Sequence, residues 1–131
     1  RTKNGHTQHV NARAEAHVHD FVLFLDKFVT GMNQKLVHMA LLVRDYDEAI
    51  AFYTQKLQFD LIADDQLTAT KRWVLVRPRG GDCALLLAKA DGEHQQKFIG
   101  QQAGGRVFLF LSTDNFERDY ANLINHQIKI V

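Results

Sequence analysis

Seven histidines give this 131-residue chain its most chemistry-capable side chains, and they are unevenly placed. His6, His9, His17 and His19 fall in a polar stretch at the start, whereas His38 stands alone in the apolar run Leu36-Val-His-Met-Ala-Leu-Leu-Val43. An imidazole there can ligate a metal, move a proton or simply hydrogen-bond a neighbour. His17-Val-His19 sets two imidazoles on one face of a strand, enough for loose capture of a transition metal. No carboxylate or cysteine completes that set at ligand spacing, so a solvated arm is the plain reading. Glu93 and His94 form a further donor pair within Asp91-Gly-Glu-His-Gln-Gln-Lys-Phe-Ile-Gly100, a short helix or lid. The one cysteine, Cys83, lies in an apolar strand and reads as a buried, inert thiol. It excludes an internal disulfide and points to a reducing, cytoplasmic setting. There is no Ser-His-Asp order, no glycine-rich phosphate loop and no pair of carboxylates aimed at one spot.

The elements that must position these groups follow from patterning. Asp45-x-x-Glu48 is a capping box, and Tyr46, Ile50, Tyr53 and Leu57, flanked by Ala49 and Phe52, make one apolar stripe of a helix. A strand through His38, this helix, and strands at 60–67, 69–77 and 82–88 follow in order, with Pro78-Arg-Gly-Gly81 as a turn. Arg106-Val-Phe-Leu-Phe-Leu111 predicts another buried strand, Ser112 to about His126 a second helix, and Gln127 to Val131 the start of one more strand. The box recurs as Asp114-x-x-Glu117, and each helix stops at a glutamine before an apolar residue, Gln58-Phe59 and Gln127-Ile128. Such a repeat indicates two copies of one supersecondary unit. Ahead of residue 32, Phe21 to Val29 predicts an apolar helix ending near Gly31, or else a short buried strand. That much apolar surface must be covered within the chain or by a second copy, and residues 17–29 are expected to cover part of the sheet.

Composition narrows the function classes. Apolar residues make up 46% and charged residues 24%, ordinary for a globular protein of one domain, or one domain with an extension. A net charge of +1 lacks the basic excess that binds nucleic acid. Asp20, Asp26 and Lys27 interrupt the best candidate for a membrane span or signal peptide.

Leu36 to Phe59, with Arg72-Trp-Val-Leu-Val76 and Gly105-Arg-Val-Phe-Leu-Phe-Leu-Ser-Thr-Asp114 behind it, resembles the vicinal oxygen chelate superfamily of glyoxalase I, bleomycin-resistance proteins and extradiol dioxygenases. The resemblance covers residues 32–131, with Met32 as a natural family start and residues 1–31 as an extension. It implies an α+β fold: a βαβββ module at 36–89, a partial second module at 105–131, and a cupped mixed sheet with helices outside. The Ala-Phe-Tyr…Lys-Leu-x-Phe signature is specific for the fold but not for a reaction. Two departures stand out. The family commonly has glycine at Gln58 and Gln127, where a left-handed backbone costs other residues about 1 kcal/mol. Strained glutamines or a re-routed helix exit are therefore expected. The chain also stops at Val131, before the last two strands of the family's second module.

The resemblance further implies a site in the cup, where family enzymes chelate a divalent metal with about four side chains. His38 matches the first ligand position. The second falls near Leu86, where an acidic residue is expected, the third at Phe108 (or Val107), where histidine is usual, and the fourth beyond Val131. One donor of four does not hold a cation. Alternation places Leu36, Ala40 and Leu42 with His38, and Ala84, Leu86, Ala88, Phe108 and Phe110 in the cup. Trp73 is a further member, and Arg77 and Arg106 sit at the rim. Such a lining suits a small apolar or anionic molecule. The expectation is a family member of unassigned activity, binding such a ligand as a homodimer without the usual metal or any other cofactor. Two alternatives stand: a metal-dependent lyase or dioxygenase with ligands completed across a dimer, and a non-catalytic dimerisation module.

Overall fold

The computed structural model describes residues 33–131, together with the backbone of two strands earlier in the chain. Those strands, β1 (Glu15–Val18) and β2 (Phe21–Phe24), pair antiparallel with Glu15 opposite Phe24 and Val18 opposite Phe21. Over 21–24 the strand reading therefore holds rather than the helix. The expectations for His6, His9, His19, residues 25–29 and Met32 lie outside the described residues. The chain divides into two compact units, Arg1–Lys35 and Leu36–Val131.

The second unit runs β3 (His38–Val43), α1 (Tyr46–Ala51), β4 (Asp60–Gln66), β5 (Arg72–Arg77), β6 (Ala84–Lys89), α2 (Gly92–Gln96) and α3 (Phe116–Asn125). The first five of these are the expected βαβββ module. Its sheet has the order β3-β6-β5-β4, with β3 parallel to β6 and the other pairs antiparallel. The crossover through α1 carries the chain from β3 to β4 at the opposite edge, a strand that runs parallel to it, whereas β4, β5 and β6 are joined by short turns. One of these is the expected turn at Pro78, closed by the Gly81 amide donating to the Pro78 carbonyl (2.9 Å), with Gly80 in the left-handed region at φ 75°.

Period-two alternation divides the sheet into two faces. Val43, Val74, Val76, Leu85 and Leu87 pack beneath α1 against Tyr46 and Ala49, with Met39, Leu41, Ile50, Tyr53 and Phe59 around them. Val74, Val76 and Leu87 are completely buried, and a fully buried side chain of this size contributes about 1.5–3 kcal/mol. A register shift between Leu61 and Ala63 re-aims β4 so that Asp64 lies opposite Val74 on this helix-side face. There Arg72 donates to both Asp64 oxygens (2.9 and 2.6 Å) and to Asp47 at the start of α1 (2.7 Å), its guanidinium over the Tyr46 ring. One arginine thus ties α1, β4 and β5 together.

The two helices share their grammar but not their details. The Asp45 carboxylate caps α1 by accepting from the amides of Asp47 (2.9 Å) and Glu48 (3.0 Å). Glu48 itself turns to Arg44 (3.7 Å) rather than reaching back to the cap. At the second helix the cap is Asn115, accepting from the Arg118 amide at 2.9 Å. The expected cap, Asp114, instead pairs with the Arg118 side chain (2.8 Å). The offset of one residue has a structural counterpart, because α1 finishes in a π-helical turn, Phe52–Lys56, that absorbs one extra residue.

Both helix exits carry the expected strained glutamines, Gln58 at φ 59° and Gln127 at φ 54°. After α3 the Ile128 amide donates to Leu123 and the Gln127 amide to Ile124, the paired bonds of a Schellman motif. After the π turn the corresponding Phe59 amide donates to Tyr53, one residue further back. Two strand expectations fail. Residues 106–111 and 127–131 pair with no strand, and Val107 and Phe110 are 67% and 89% exposed. A strand requires a neighbour for its backbone groups, and none of the described strands provides one.

Candidate functional site

The sheet face opposite α1 carries the candidate site. His38, Ala40 and Leu42 come from β3, Ala84, Leu86 and Ala88 from β6, and Trp73, Leu75 and Arg77 from β5. The register places Ala84 beside His38, and Leu86 between Ala40 and Leu75. Carrying the β5–β6 register one pair further puts Arg77 on the other side of Ala84. His38 and Arg77 therefore flank one small residue, roughly 10 Å apart at their Cα atoms, two strand spacings. The imidazole meets the Trp73 indole edge-on, with ring centroids 6.2 Å apart and planes at 75°. Leu75 and Ala84 form a buried floor, whereas His38 and Ala40 are exposed and Trp73, Arg77, Leu86 and Ala88 are half-buried. Trp73, whose face alternation from His38 alone did not settle, is thereby placed with His38.

The electrostatics of this face centre on Arg77. Its Nε is the one buried side-chain nitrogen or oxygen among the described residues without a hydrogen-bond partner. Asp60 lies opposite Arg77 in the register, but its carboxylate goes to Arg79 (3.4 Å). A cationic N–H buried without an acceptor costs roughly 1–3 kcal/mol or more, so such a group calls for an explanation.

The structure brings His38, Trp73, Arg77 and Leu86 together. Arg106, Phe108 and Phe110 do not join them by any ring contact or side-chain hydrogen bond among the described residues, since the stretch that carries them pairs with no strand. In their place stands a residue that patterning missed. Gln102 donates from Nε2 to the Ala40 carbonyl (2.7 Å) and accepts at Oε1 from the Leu42 amide (2.9 Å). One side-chain amide thus makes the two bonds that a residue of a parallel neighbour opposite Leu41 would make, along the outer edge of β3. A polar glutamine in a loop, some sixty positions away in sequence, offers no signal for this.

A chelated divalent metal does not suit these residues. Of the three family ligand positions that fall within residues 38–108, only His38 is a donor, Leu86 and Phe108 being hydrocarbon. No group of three His, Cys, Asp or Glu side chains comes together among the described residues. Glu93 and His94 lie in α2, where His94 packs edge-on against Phe98 (5.6 Å).

A separate hollow of about 540 Å³ lies between the exit of α1 and α3, with Leu57, Gln58, Pro78, Leu111 and Leu123 in its wall. Its cations are satisfied internally, Arg118 by Asp114 and Asp119 and Arg79 by Asp60. With its charged groups paired to one another, it offers a ligand less than the Arg77 face does.

A βαβββ sheet backed by one helix defines a glyoxalase-like domain. Residues 35–131 match the model of the Glyoxalase/Bleomycin resistance protein/Dioxygenase superfamily, and the chain belongs to that family. It is 57% identical over 102 residues to an uncharacterized protein of Shewanella frigidimarina (strain NCIMB 400), covering 76% of each chain. Among solved structures it is similar to UcmS2, at 30% identity and a TM-score of 0.59 over 72% of this chain and 75% of that one. It is likewise similar to TnmS3, an antibiotic binding protein from Streptomyces sp. CB03234, at 28% identity and a TM-score of 0.57 over 74% of each chain. No helix among the described residues is long and apolar enough to cross a membrane.

Proposed function

We propose that this protein binds a small apolar or anionic molecule on the His38–Trp73–Arg77–Leu86 face, without a resident metal. The observation that carries the reading is the composition of that face: an apolar floor, one indole, one imidazole and a guanidinium whose Nε has no protein partner. Few, well-placed polar groups over an apolar surface are the usual chemistry of a ligand site. The likeness to an antibiotic binding protein supports small-molecule binding as the task. Among the described residues no chelating set accompanies the histidine, and sequestration accounts for these residues better than metal-dependent catalysis.

Trp73 is the only tryptophan, so its single indole N–H resonance reports on this face alone. A panel of small aromatic compounds, screened by thermal shift, is expected to yield binders that also move that resonance. A ligand at a hundred times its Kd raises stability by about 2.7 kcal/mol. Binders that raise the melting temperature yet leave the Trp73 resonance still would place the site elsewhere. Stoichiometric metal in protein purified without added metal, lost in His38→Ala, would overturn the metal-free reading.

A further inference from the structure

We infer that Arg77 is a specificity-determining residue that selects ligands carrying an acidic oxygen, a carboxylate or phenolate, on a planar aromatic frame. The inference rests on the ligand-binding reading of this face and adds the chemical class of the ligand. Three observations lead to it. First, Arg77 Nε is buried and unpartnered, and an acidic oxygen is the acceptor that repairs this with a charge-assisted bond. Second, the protein withholds its own candidate: Asp60, opposite Arg77 in the register, pairs with Arg79, so no carboxylate among the described residues pairs with Arg77. Two arginines and one aspartate leave one guanidinium for a ligand. Third, Ala84, small and buried between His38 and Arg77, adds no bulk to the floor over which a flat group would lie. Trp73, edge-on to His38, stands ready to border its ring.

Asp65 lies opposite Trp73 at the far end of the same face. With a cation at one end and an anion at the other, an acidic ligand has one favoured orientation, acid toward Arg77. His38 then contacts the ligand frame through ring packing or one hydrogen bond, and the recognition of charge falls to Arg77.

The test titrates 1-naphthoate and 1-naphthamide, nearly isosteric and differing in charge, against the full chain while following the Trp73 indole resonance. Naphthoate is expected to bind roughly tenfold or more tightly than naphthamide, the scale of one charge-assisted hydrogen bond. In Arg77→Met the preference disappears, because naphthoate loses far more affinity than naphthamide does. Arg77→Lys keeps the charge without the Nε donor and is expected to recover part of the preference, which also serves should the methionine variant fold poorly. Equal binding of the two compounds to the wild-type protein overturns the inference and leaves the ligand-binding reading standing. A preference for naphthoate that survives in Arg77→Met also overturns it, assigning selection to another group. If neither compound, nor any aromatic in the wider panel, moves the Trp73 resonance, both the inference and the reading beneath it fall.

Discussion

The strand–helix unit at 38–56 and its counterpart at 106–125 follow one pattern, an apolar run and then a capped helix with an apolar stripe, yet only the first is packed. Tyr46 and Phe116 each open a helix directly after a capping residue; Tyr46 is 7% exposed against the sheet, and Phe116 is 66% exposed. Ile50 packs against the core, whereas Tyr120, at the same step of α3, stacks on Phe116 (5.6 Å) and remains 44% exposed. His38–Val43 is a paired strand, and 106–111, as apolar, pairs with none of the described strands. A helix closes its hydrogen bonds within itself, so a cap and an apolar stripe suffice to draw one. A strand depends on a neighbour, and its sequence cannot supply that alone.

The sharpest way to break this contrast is to cut matching apolar groups from the two units. Leu87→Ala empties a completely buried position under α1 and is expected to cost about 2–5 kcal/mol in urea unfolding. Phe110→Ala removes a larger side chain that is 89% exposed, and is expected to change stability by no more than about 0.5 kcal/mol. A cost for Phe110→Ala near that of Leu87→Ala would mean the second unit is packed after all.

The arginine clusters make the next comparison. Each helix start meets an arginine held between two carboxylates, Arg72 with Asp47 and Asp64, Arg118 with Asp114 and Asp119. Arg72 joins three elements and its side chain is 20% exposed; Arg118 serves only its own helix start and is 57% exposed. Arg72→Ala is therefore expected to lower the melting temperature, and Arg118→Ala to leave it nearly unchanged. Arg72 holds the Asp64 carboxyl below its ordinary value of 3.8, and the Glu48 amide does the same for Asp45. A depressed native value means this stabilisation is complete above the unfolded value and is lost as pH falls through the native one. Stability should thus decline below about pH 4, and Asp64→Asn should make that decline shallower.

What patterning could see follows from locality. The Asp45 cap of α1 and the strand–helix–strand order rest on groups within a few residues of one another and were legible, whereas the left-handed glutamines followed from the family resemblance, as one of two alternatives. His38 and Leu86 could be assigned to one face from alternation, since both lie in strands of clear period. Trp73 could not, because its face depends on the register of β5. Asp64 meets Arg72 only through a bulge that composition does not mark. The cap at Asn115 was misread as Asp114 because the repeat is exact in sequence while a π turn makes it inexact in space. The strand at 106–111 was misread because its residues suit a strand and its missing neighbour leaves no trace in them.

The helix exits allow a finer comparison. Gln127→Gly relieves a left-handed residue that makes no side-chain hydrogen bond among those described, and is expected to stabilise by about 1 kcal/mol. Gln58→Gly relieves the same strain but removes the Nε2 donor to Asn122 (3.1 Å), whose own amide donates to the Lys56 carbonyl (2.7 Å). Its gain should be smaller, or absent. Equal gains from the two substitutions, measured by thermal unfolding, would show that the Gln58–Asn122 link between the helices contributes nothing.

A small effect on stability, and the most direct probe of the second unit, belongs to Gln102. Its amide occupies the Ala40 carbonyl and Leu42 amide on the outer edge of β3, where a further strand would otherwise attach. These bonds are exposed to solvent, so Gln102→Ala should cost less than about 1 kcal/mol. An open edge is nevertheless a template for pairing between chains, and the apolar, unpaired residues 106–111 begin four positions further on. Gln102→Ala is therefore expected to shift sedimentation toward larger species as concentration rises, beyond whatever the wild-type protein shows. Gln102→Glu retains an acceptor for Leu42 but places a charge at the edge, and should shift it less. If all three proteins sediment alike, the edge of β3 is closed by something other than this one amide, and the difference between the two units cannot be laid to a capped strand.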